Sequence, residues 1–213
     1  MHEALYTYYV KKLYDKLFVE NNISLKDALV IDIGGYIGDT AILFALKGAK
    51  KVLSFEPHPY LFRLLKTNIA LNSLEDKIMA YNLAIGDSHR VVELREPMDK
   101  HRLYKTLGVT TIGKGRIICH VQQIPLESIV DRFDGVHLVK FNCEGCEYPS
   151  ILSLSQKSLK KINFLVLHLH EYAPHIRHAL VNKLRKSGFR LLAKADPDIL
   201  VYANTLWRNH RTD

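Results

Sequence analysis

Two acids and two histidines follow the last two apolar runs in the second half of the chain. Glu144 and Glu147 come directly after one run, and His168 and His170 end the next. Since the carboxyl ends of neighbouring parallel strands meet at one edge of a sheet, Glu144, Glu147 and His170 are expected to converge. Imidazole titrates near neutrality, so His170 is the best candidate for a general base. Glu144 would orient it or bind a substrate hydroxyl, with Glu147 beside it. The alternative is that these groups only tie loop backbone and cap the next helix.

Two cysteines, Cys143 and Cys146, stand in the same stretch as the acids. The chain has three cysteines, and an odd number argues against a disulfide framework. The CxxC spacing leaves three interpretations open. The pair is structural, which we favour, or it is a redox pair, or it joins His168 and His170 in a tetrahedral Cys2His2 metal site. We expect no bound metal.

A glycine-rich turn follows the first apolar run, which spans residues 29–33 and is interrupted only by Asp32. The order strand, glycine turn and helix is typical of the first unit of a nucleotide-binding α/β sheet. The dinucleotide pattern G-x-G-x-x-G is absent because Tyr36 replaces its middle glycine, and the P-loop pattern is absent too. What remains, D-x-G-x-x-x-G, suits a ligand without phosphates that has an amino-acid end and a nucleoside end. S-adenosylmethionine (SAM) is such a ligand. The residues expected to hold it at this turn are Asp32, Gly34, Gly35, Tyr36, Gly38, Asp39 and Thr40.

Glu56 ends the second predicted strand, 22 residues beyond Gly34. An acid at this position of a doubly wound sheet binds the ribose hydroxyls of a nucleotide. The alternative is a helix cap before Pro57. Small Ala84, after the third predicted strand, would let an adenine ring lie against the backbone. The expected cofactor contacts outside the turn are Glu56, Pro57, Asn82, Ala84 and Asn142.

The predicted elements alternate between strands and helices and end in a hairpin, 189–194 with 199–203. This order predicts an α/β fold with a doubly wound, mostly parallel seven-stranded sheet and a C-terminal antiparallel hairpin. At 213 residues the chain is expected to form one domain, 1–213. A helix over residues 3–20, within an N-terminal block 1–22, precedes the sheet. The segment 88–126, with two short strands and a glycine-rich loop, is expected to shape the acceptor pocket.

Composition is that of an ordinary globular protein, with 47% hydrophobic and 24% charged residues. The formal charge is +8, and residues 100–126 contribute five basic residues without an acid. We favour a solvated surface for this stretch, with an anion or RNA site as the alternative. No apolar run has membrane-spanning length and no signal peptide is visible, so a cytoplasmic location is expected. The oligomeric state is not predicted.

With these motifs assembled, the chain resembles the FkbM family of SAM-dependent methyltransferases over roughly residues 28–205. The family's first motif is similar to residues 30–40, its second to Phe55-Glu-Pro57 and its third to 82–87. The most specific match is Lys140-Phe-Asn-Cys-Glu-Gly-Cys-Glu147, where the family typically shows K-x-D-x-E-G-x-E. The resemblance implies the methyltransferase fold and SAM as cofactor. It also implies methyl transfer to hydroxyl groups, because the family includes O-methyltransferases of natural products and sugars.

The chain departs from the family pattern at two positions. Asn142 replaces the Asp at the end of the fourth parallel strand, and an amide cannot accept a proton as a base. On the next strand His168 replaces an acid that often stands two places before the histidine. If the family Asp acts as a base, this chain needs another group.

Three functions therefore remain as hypotheses. The first is SAM-dependent O-methylation of a hydroxylated small molecule or glycan. The second is an RNA methyltransferase that uses the basic residues in 100–126; the absence of an Asn/Asp-Pro-Pro-Tyr motif argues against methylation of exposed base amines. The third is a SAM-binding protein without catalysis, for which Asn142 is the main support.

Overall fold

The structure is a computed structural model that describes residues 10–97, 115–170 and 174–206. Several predicted features lie outside this part of the chain. They are residues 3–9 of the N-terminal helix and nearly all of the loop at 98–115, including Lys100, Arg102, Lys105 and Lys114.

Seven strands form the main sheet, and five of them run parallel. The parallel strands are β1 (Leu29–Ile33), β2 (Lys51–Phe55), β3 (Ile78–Tyr81), β7 (Val136–Phe141) and β8 (Ile162–His168). The antiparallel hairpin is β9 (Phe189–Asp196) with β10 (Ile199–Asn204). The strand order is β3-β2-β1-β7-β8-β10-β9. The predicted doubly wound sheet with a C-terminal hairpin is confirmed.

The strand order reverses between β1 and β7, which are hydrogen-bonded neighbours from distant parts of the sequence. Connections from these two strands leave to opposite sides, so a crevice opens outside their carboxyl ends. Ligands of open α/β sheets bind at such a switch point. The glycine turn after β1 and the acidic stretch after β7 both lie there.

Helices cover both faces of the sheet. They are α1 (residues 10–20, of which Asp15–Glu20 is π-helical), α2 (Asp39–Leu46), α3 (Pro59–Leu71), α4 (Leu126–Val130), α5 (Glu147–Ser153), α6 (Gln156–Lys160) and α7 (Pro174–Lys186). One apolar layer joins the sheet to α1, α2 and α3, and the other joins it to α4 through α7. None of the described helices combines the length and apolar character that a membrane span requires.

A second sheet of three strands adjoins the main one. It consists of β4 (Ala84–Gly86), β5 (Arg90–Pro97) and β6 (Gly115–Pro125), in the order β4-β6-β5. The two strands predicted inside 88–126 therefore exist and pair antiparallel with each other. β4, directly after the third parallel strand, pairs with the end of β6 and ties this sheet to the ligand crevice.

Candidate active site

A buried ion pair between β1 and β7 fixes the glycine turn that follows β1. Nζ of Lys140 on β7 lies 2.8 Å from Oδ1 of Asp32, and both side chains are almost fully buried. The same Nζ donates to the carbonyl oxygen of Gly34 at 2.9 Å. The hydroxyls of Thr40 and Ser54 donate to the two oxygens of Asp32 at 3.0 and 3.1 Å. Asp32 and Thr40, predicted as cofactor contacts, thus fix the turn from the protein side.

Gly34 is required by a close approach between the turn and β7. Its φ is +77°, in the left-handed region, and an added Cβ would overlap the backbone carbonyl of Asn142. The N–H groups of Gly34 and Gly35 donate to the carbonyl of Phe55 at the end of β2, at 3.0 and 2.9 Å. Glycines in such a turn are expected to let a ligand approach the backbone. At Gly34, however, the atoms that leave no room for a side chain belong to the backbone of the protein itself.

The other predicted residues of the turn lie between β1 and α2 or at the start of α2. Gly38 is the N-cap of α2 and has a φ of +98°, and Asp39 is the first residue of that helix. Burial raises the pKa of the half-buried Asp39, and Lys140 and two backbone hydrogen bonds counteract this shift in part. Tyr36 is half-buried with a φ of +50°. Burial, and then the charge of Glu56, raise the pKa of the Tyr36 phenol.

Glu56 follows β2 and holds its carboxylate against the glycine turn. Oε2 accepts from the backbone N–H of Tyr36 and Oε1 from that of His58, both at 2.8 Å. The side chain is 6% exposed. Burial raises its pKa to about 7, although the two backbone hydrogen bonds and the Lys140 charge lower it. Glu56 is therefore a preoriented acceptor with an ionisation close to neutral pH.

The segment after β3 reaches the same crevice. The Asn82 side-chain amide donates to the carbonyl oxygens of Glu56 and Pro57 at 2.9 and 2.8 Å, which fixes the backbone around the acid. Ala84 is buried and pairs with Gln123 on β6. Asn82 thus fixes the backbone around Glu56, and Asp32 acts on the glycine turn through Lys140. Glu56 offers a polar group at this edge.

On the other side of the switch point, Glu147 ties the stretch after β7 to the end of β8. Its side chain is fully buried. Oε2 accepts from the N–H of Gly145 at 3.0 Å, and Oε1 accepts from the N–H of His170 at 2.9 Å. Nearby, the Tyr148 hydroxyl donates to the carbonyl of His170 at 3.0 Å. These contacts bring the two predicted acids and the histidine together.

His170 lies between two carboxylates. Nδ1 is 3.2 Å from Oε1 of Glu147, and Nε2 is 3.3 Å from Oε1 of Glu144. Burial lowers the pKa of the imidazole, but the hydrogen bonds and charges of both acids outweigh it and raise the pKa to about 10. At neutral pH the ring carries a positive charge with both nitrogens protonated. Such a ring is a hydrogen-bond donor and an electrostatic group, and it is not suited to act as a base.

His168 has the opposite electrostatics. Burial lowers its pKa to about 4, and the positive charge of His170 adds to this effect against the weaker influence of the acids. The two rings lie 4.5 Å apart between centroids. Nδ1 of His168 is 2.9 Å from Oδ1 of Asn142. An amide oxygen only accepts, so Nδ1 carries the proton and Nε2 is the basic nitrogen.

The two cysteines of this stretch are joined to each other. Cys143 and Cys146 form a disulfide, although the odd cysteine count had argued against a disulfide framework. The donors of the alternative Cys2His2 metal site do not converge. In the described part of the chain, the cluster with metal-ligand donors within 4.8 Å comprises Cys143, Cys146 and Glu147, without either histidine.

The sequence reasoning missed two residues that organise this site. Lys140 appeared only as part of a motif, and Ser54 was not considered. A lysine inside the apolar run Val136–Phe141 was the available signal, because a buried ammonium group requires a partner of opposite charge. That partner, Asp32, interrupts an equally apolar strand.

Known proteins resemble this chain in sequence and in structure. A tRNA(Phe) (4-demethylwyosine(37)-C(7)) aminocarboxypropyltransferase of Pyrococcus horikoshii is 39% identical over 61 residues, which are 29% of this chain and 22% of that enzyme. The methyltransferase FkbM of Methylobacillus flagellatus superposes with a TM-score of 0.59 and 16% identity over 89% of this chain and 47% of its own. The chain thus spans about a fifth of the first protein and about half of the second.

A third similar protein, from Pyrococcus horikoshii, is assigned as an RNA methyltransferase. It superposes with a TM-score of 0.52 and 14% identity over 92% of this chain and 83% of its own. At these identities the superpositions establish the methyltransferase fold. The sequence profile of the methyltransferase FkbM domain matches residues 32–191, which is more than half of the chain. With the strand order and the motifs around Asp32 and Glu147, this match shows that the chain belongs to the FkbM methyltransferase family.

Proposed function

We propose that this chain is a SAM-dependent methyltransferase that acts on a hydroxyl group of a small molecule or glycan. The observation that carries the proposal is Glu56. Its buried carboxylate ends β2 at the switch point of the sheet and is fixed by the N–H groups of Tyr36 and His58. A nucleoside with two ribose hydroxyls is the ligand that such an acceptor suits.

The residues at this edge fit SAM in number and chemistry. A carboxylate offers about four lone-pair positions, and the two backbone hydrogen bonds of Glu56 leave acceptor capacity for a ribose. Ala84 presents a small side chain where an adenine ring would lie. SAM would supply a methyl group bonded to a sulfonium sulfur, and the neutral thioether that remains after transfer is a good leaving group. The protein then needs mainly to orient the acceptor and to remove its proton.

We assign His168 as the base that removes the proton of the acceptor hydroxyl. Its Nε2 is unprotonated at neutral pH, and Asn142 holds the ring through Nδ1 at 2.9 Å. A ring with a pKa near 4 is a weak base for an ordinary hydroxyl. The hydroxyl becomes far more acidic as its oxygen bonds to the methyl carbon, however, and a weak base then suffices.

We assign Glu144 and His170 to binding of the acceptor molecule. Glu144 is 30% exposed and His170 is 18% exposed, and they form an ion pair at 3.3 Å. A carboxylate accepts from a hydroxyl and an imidazolium donates to one, so the pair can bind neighbouring hydroxyls of a sugar or polyol. Glu147, which is fully buried, orients His170 from behind. This assignment removes His170 from the role of base and moves that role to His168.

The proposal is tested by calorimetry with S-adenosylhomocysteine (SAH) and by transfer of labelled methyl from SAM to a panel of hydroxylated acceptors. We expect SAH binding in the micromolar range. His168→Gln should retain SAH binding and lose transfer by about 10²- to 10⁴-fold, the usual contribution of a general base. No SAH binding would refute the proposal. Binding with no transfer to any acceptor would support the non-catalytic alternative.

An RNA acceptor is the second candidate, and a sequence observation favours it. The 61-residue match at 39% identity is to an enzyme named for its action on tRNA(Phe). In addition, residues 174–195 contain six basic residues and no acid, and four of these, Arg185, Lys186, Arg190 and Lys194, are exposed. RNA binding should then weaken steeply as salt rises, since phosphate contacts release counterions. A flat salt response would remove this candidate.

A further inference from the structure

A disulfide closes the turn that carries the acceptor groups. It joins Cys143 and Cys146, with Cα atoms 5.5 Å apart and Glu144 and Gly145 between them. Cys146 is 5% exposed, whereas Cys143 is partly exposed. The third cysteine, Cys119, lies on β6 and is not in a disulfide. Only one sulfur of the pair is therefore well placed to meet a reagent from solution.

The turn positions Glu144, which is one of the two carboxylates that charge His170. Glu144 lies inside it with a φ of +55°, and Gly145 follows with a φ of +111°. A left-handed conformation costs a residue other than glycine about 1 kcal/mol or more, so it needs outside support. Glu147 closes the turn by accepting from the N–H of Gly145, and its Oε2 is 3.4 Å from Sγ of Cys143.

We propose that Cys143 and Cys146 form a reversible dithiol–disulfide site that holds Glu144 against His170 when it is oxidised and releases it when it is reduced. The inference rests on the proposed function, because it concerns the acceptor side of the same site. In reducing compartments, disulfides of this kind are usually transient and redox-sensing or catalytic. The charge of the acceptor pocket would then follow the redox state of the surroundings.

The reagent is a small-molecule disulfide such as oxidised glutathione. The thiolate of Cys143 attacks one glutathione sulfur, forms a mixed disulfide and releases the first glutathione as its thiolate. The Cys146 thiolate then attacks Sγ of Cys143, which forms the Cys143–Cys146 bond and releases the second glutathione. Two electrons pass from the cysteine pair to the two glutathione sulfurs, and the two cysteine protons end on solvent or on the released thiols. Two reduced glutathione thiolates reverse both steps: the first attacks Sγ of Cys143 and releases Cys146, and the second releases Cys143 and re-forms oxidised glutathione.

Reduction has a defined consequence for His170. Without the disulfide, Glu144 can leave its left-handed conformation, and Nε2 of His170 then loses the carboxylate at 3.3 Å. Glu147 remains, because its Oε1 accepts from the N–H of His170, which lies outside the turn. Loss of one neighbouring opposite charge lowers the pKa of an imidazole by about one pH unit or more.

The test uses the whole chain with Cys119→Ser, so that only the pair can exchange. The protein is equilibrated in mixtures of reduced and oxidised glutathione and then alkylated, and its intact mass gives the fraction of disulfide. We expect one two-electron transition. Titration of ¹³C-labelled histidines by NMR, with His170 assigned from His170→Gln, should show its pKa lower by about one pH unit or more in the reduced state. SAH affinity is measured in both states as an internal reference.

A further variant carries Cys143→Ser and Cys146→Ser in the same background. Its His170 should titrate like that of the reduced protein in every buffer. If this variant does not fold, protein reduced with dithiothreitol provides the same comparison. An unchanged His170 pKa with SAH binding intact would overturn the redox inference alone, as would a pair that glutathione cannot oxidise. Loss of SAH binding in both states would instead overturn the proposed function.

Discussion

The affinity for SAH should depend on pH through Glu56. This carboxyl has a pKa of about 7 in the folded protein because burial disfavours its charged form. Ribose hydroxyls donate hydrogen bonds, so they bind the ionised carboxylate better than the neutral acid. Below the pKa the acid is neutral and the ligand must first bring about its ionisation. If the bound carboxyl stays ionised, the dissociation constant should fall about tenfold between pH 6 and pH 8.

Calorimetry of SAH binding at half-unit steps across this range measures the effect. Glu56→Gln, which removes the titration, should bind SAH weakly and with a flat pH profile. An amide oxygen cannot accept from both backbone N–H groups that the carboxylate holds, so we also expect about 1–3 kcal/mol lower stability for this variant. Glu75→Gln, at an exposed acid before β3, is the matched control and should keep the wild-type profile. A wild-type dissociation constant independent of pH would refute the ribose assignment of Glu56.

Three further predictions concern the groups that hold the site. Asp32→Asn leaves the buried Lys140 without its opposite charge. It should lower the free energy of unfolding, measured by urea denaturation, by roughly 3–5 kcal/mol. A loss below about 1 kcal/mol would contradict the buried ion pair. Glu147→Gln should lower the pKa of His170 by about one to three pH units in an NMR titration, and an unchanged value would exclude this acid as a cause. Gly34→Ala adds a Cβ that would overlap the backbone carbonyl of Asn142, at a residue with a positive φ. It should therefore destabilise the protein by about 2 kcal/mol or more. Wild-type stability would show that the turn can adapt.

The fold was accessible from the sequence because its signals are local. The alternation of short apolar runs with amphipathic segments predicted the strands of the parallel sheet, and the residues around Asp196 predicted the hairpin of β9 and β10. Pairing between distant segments was not accessible in the same way. The two strands predicted inside 88–126 were correct as elements, yet their joining with Ala84–Gly86 into a second sheet depends on contacts that no local pattern encodes.

The same distinction applies to the site. Motif positions predicted that Glu144, Glu147 and His170 would converge at one edge of the sheet, because strand order fixes where strand ends lie. They also predicted Glu56 at the end of the second strand. They could not predict which groups would be charged. The pKa values of the two histidines separate, to about 4 and about 10, because burial acts on both while the acids lie against only one ring. That difference depends on distances of about 3 Å across segments more than twenty residues apart in sequence.

The two positions that depart from the family pattern, Asn142 and His168, are in direct contact in the structure. Asn142 and His168 stand 2.9 Å apart, so a residue type at one position restricts the other. Two acids at these positions would repel each other unless they shared a proton or a cation. An amide and a neutral imidazole instead form a hydrogen bond without net charge. Burial, and then the positive charge of His170, lower the pKa of the His168 imidazole and keep it neutral. The exchange therefore puts a neutral hydrogen-bonded pair at two positions that are acidic in the family pattern, and it leaves Nε2 of His168 as a basic nitrogen. Under the proposed function, His168 takes the place of the family Asp as the base, and it lies in direct contact with the substituted residue.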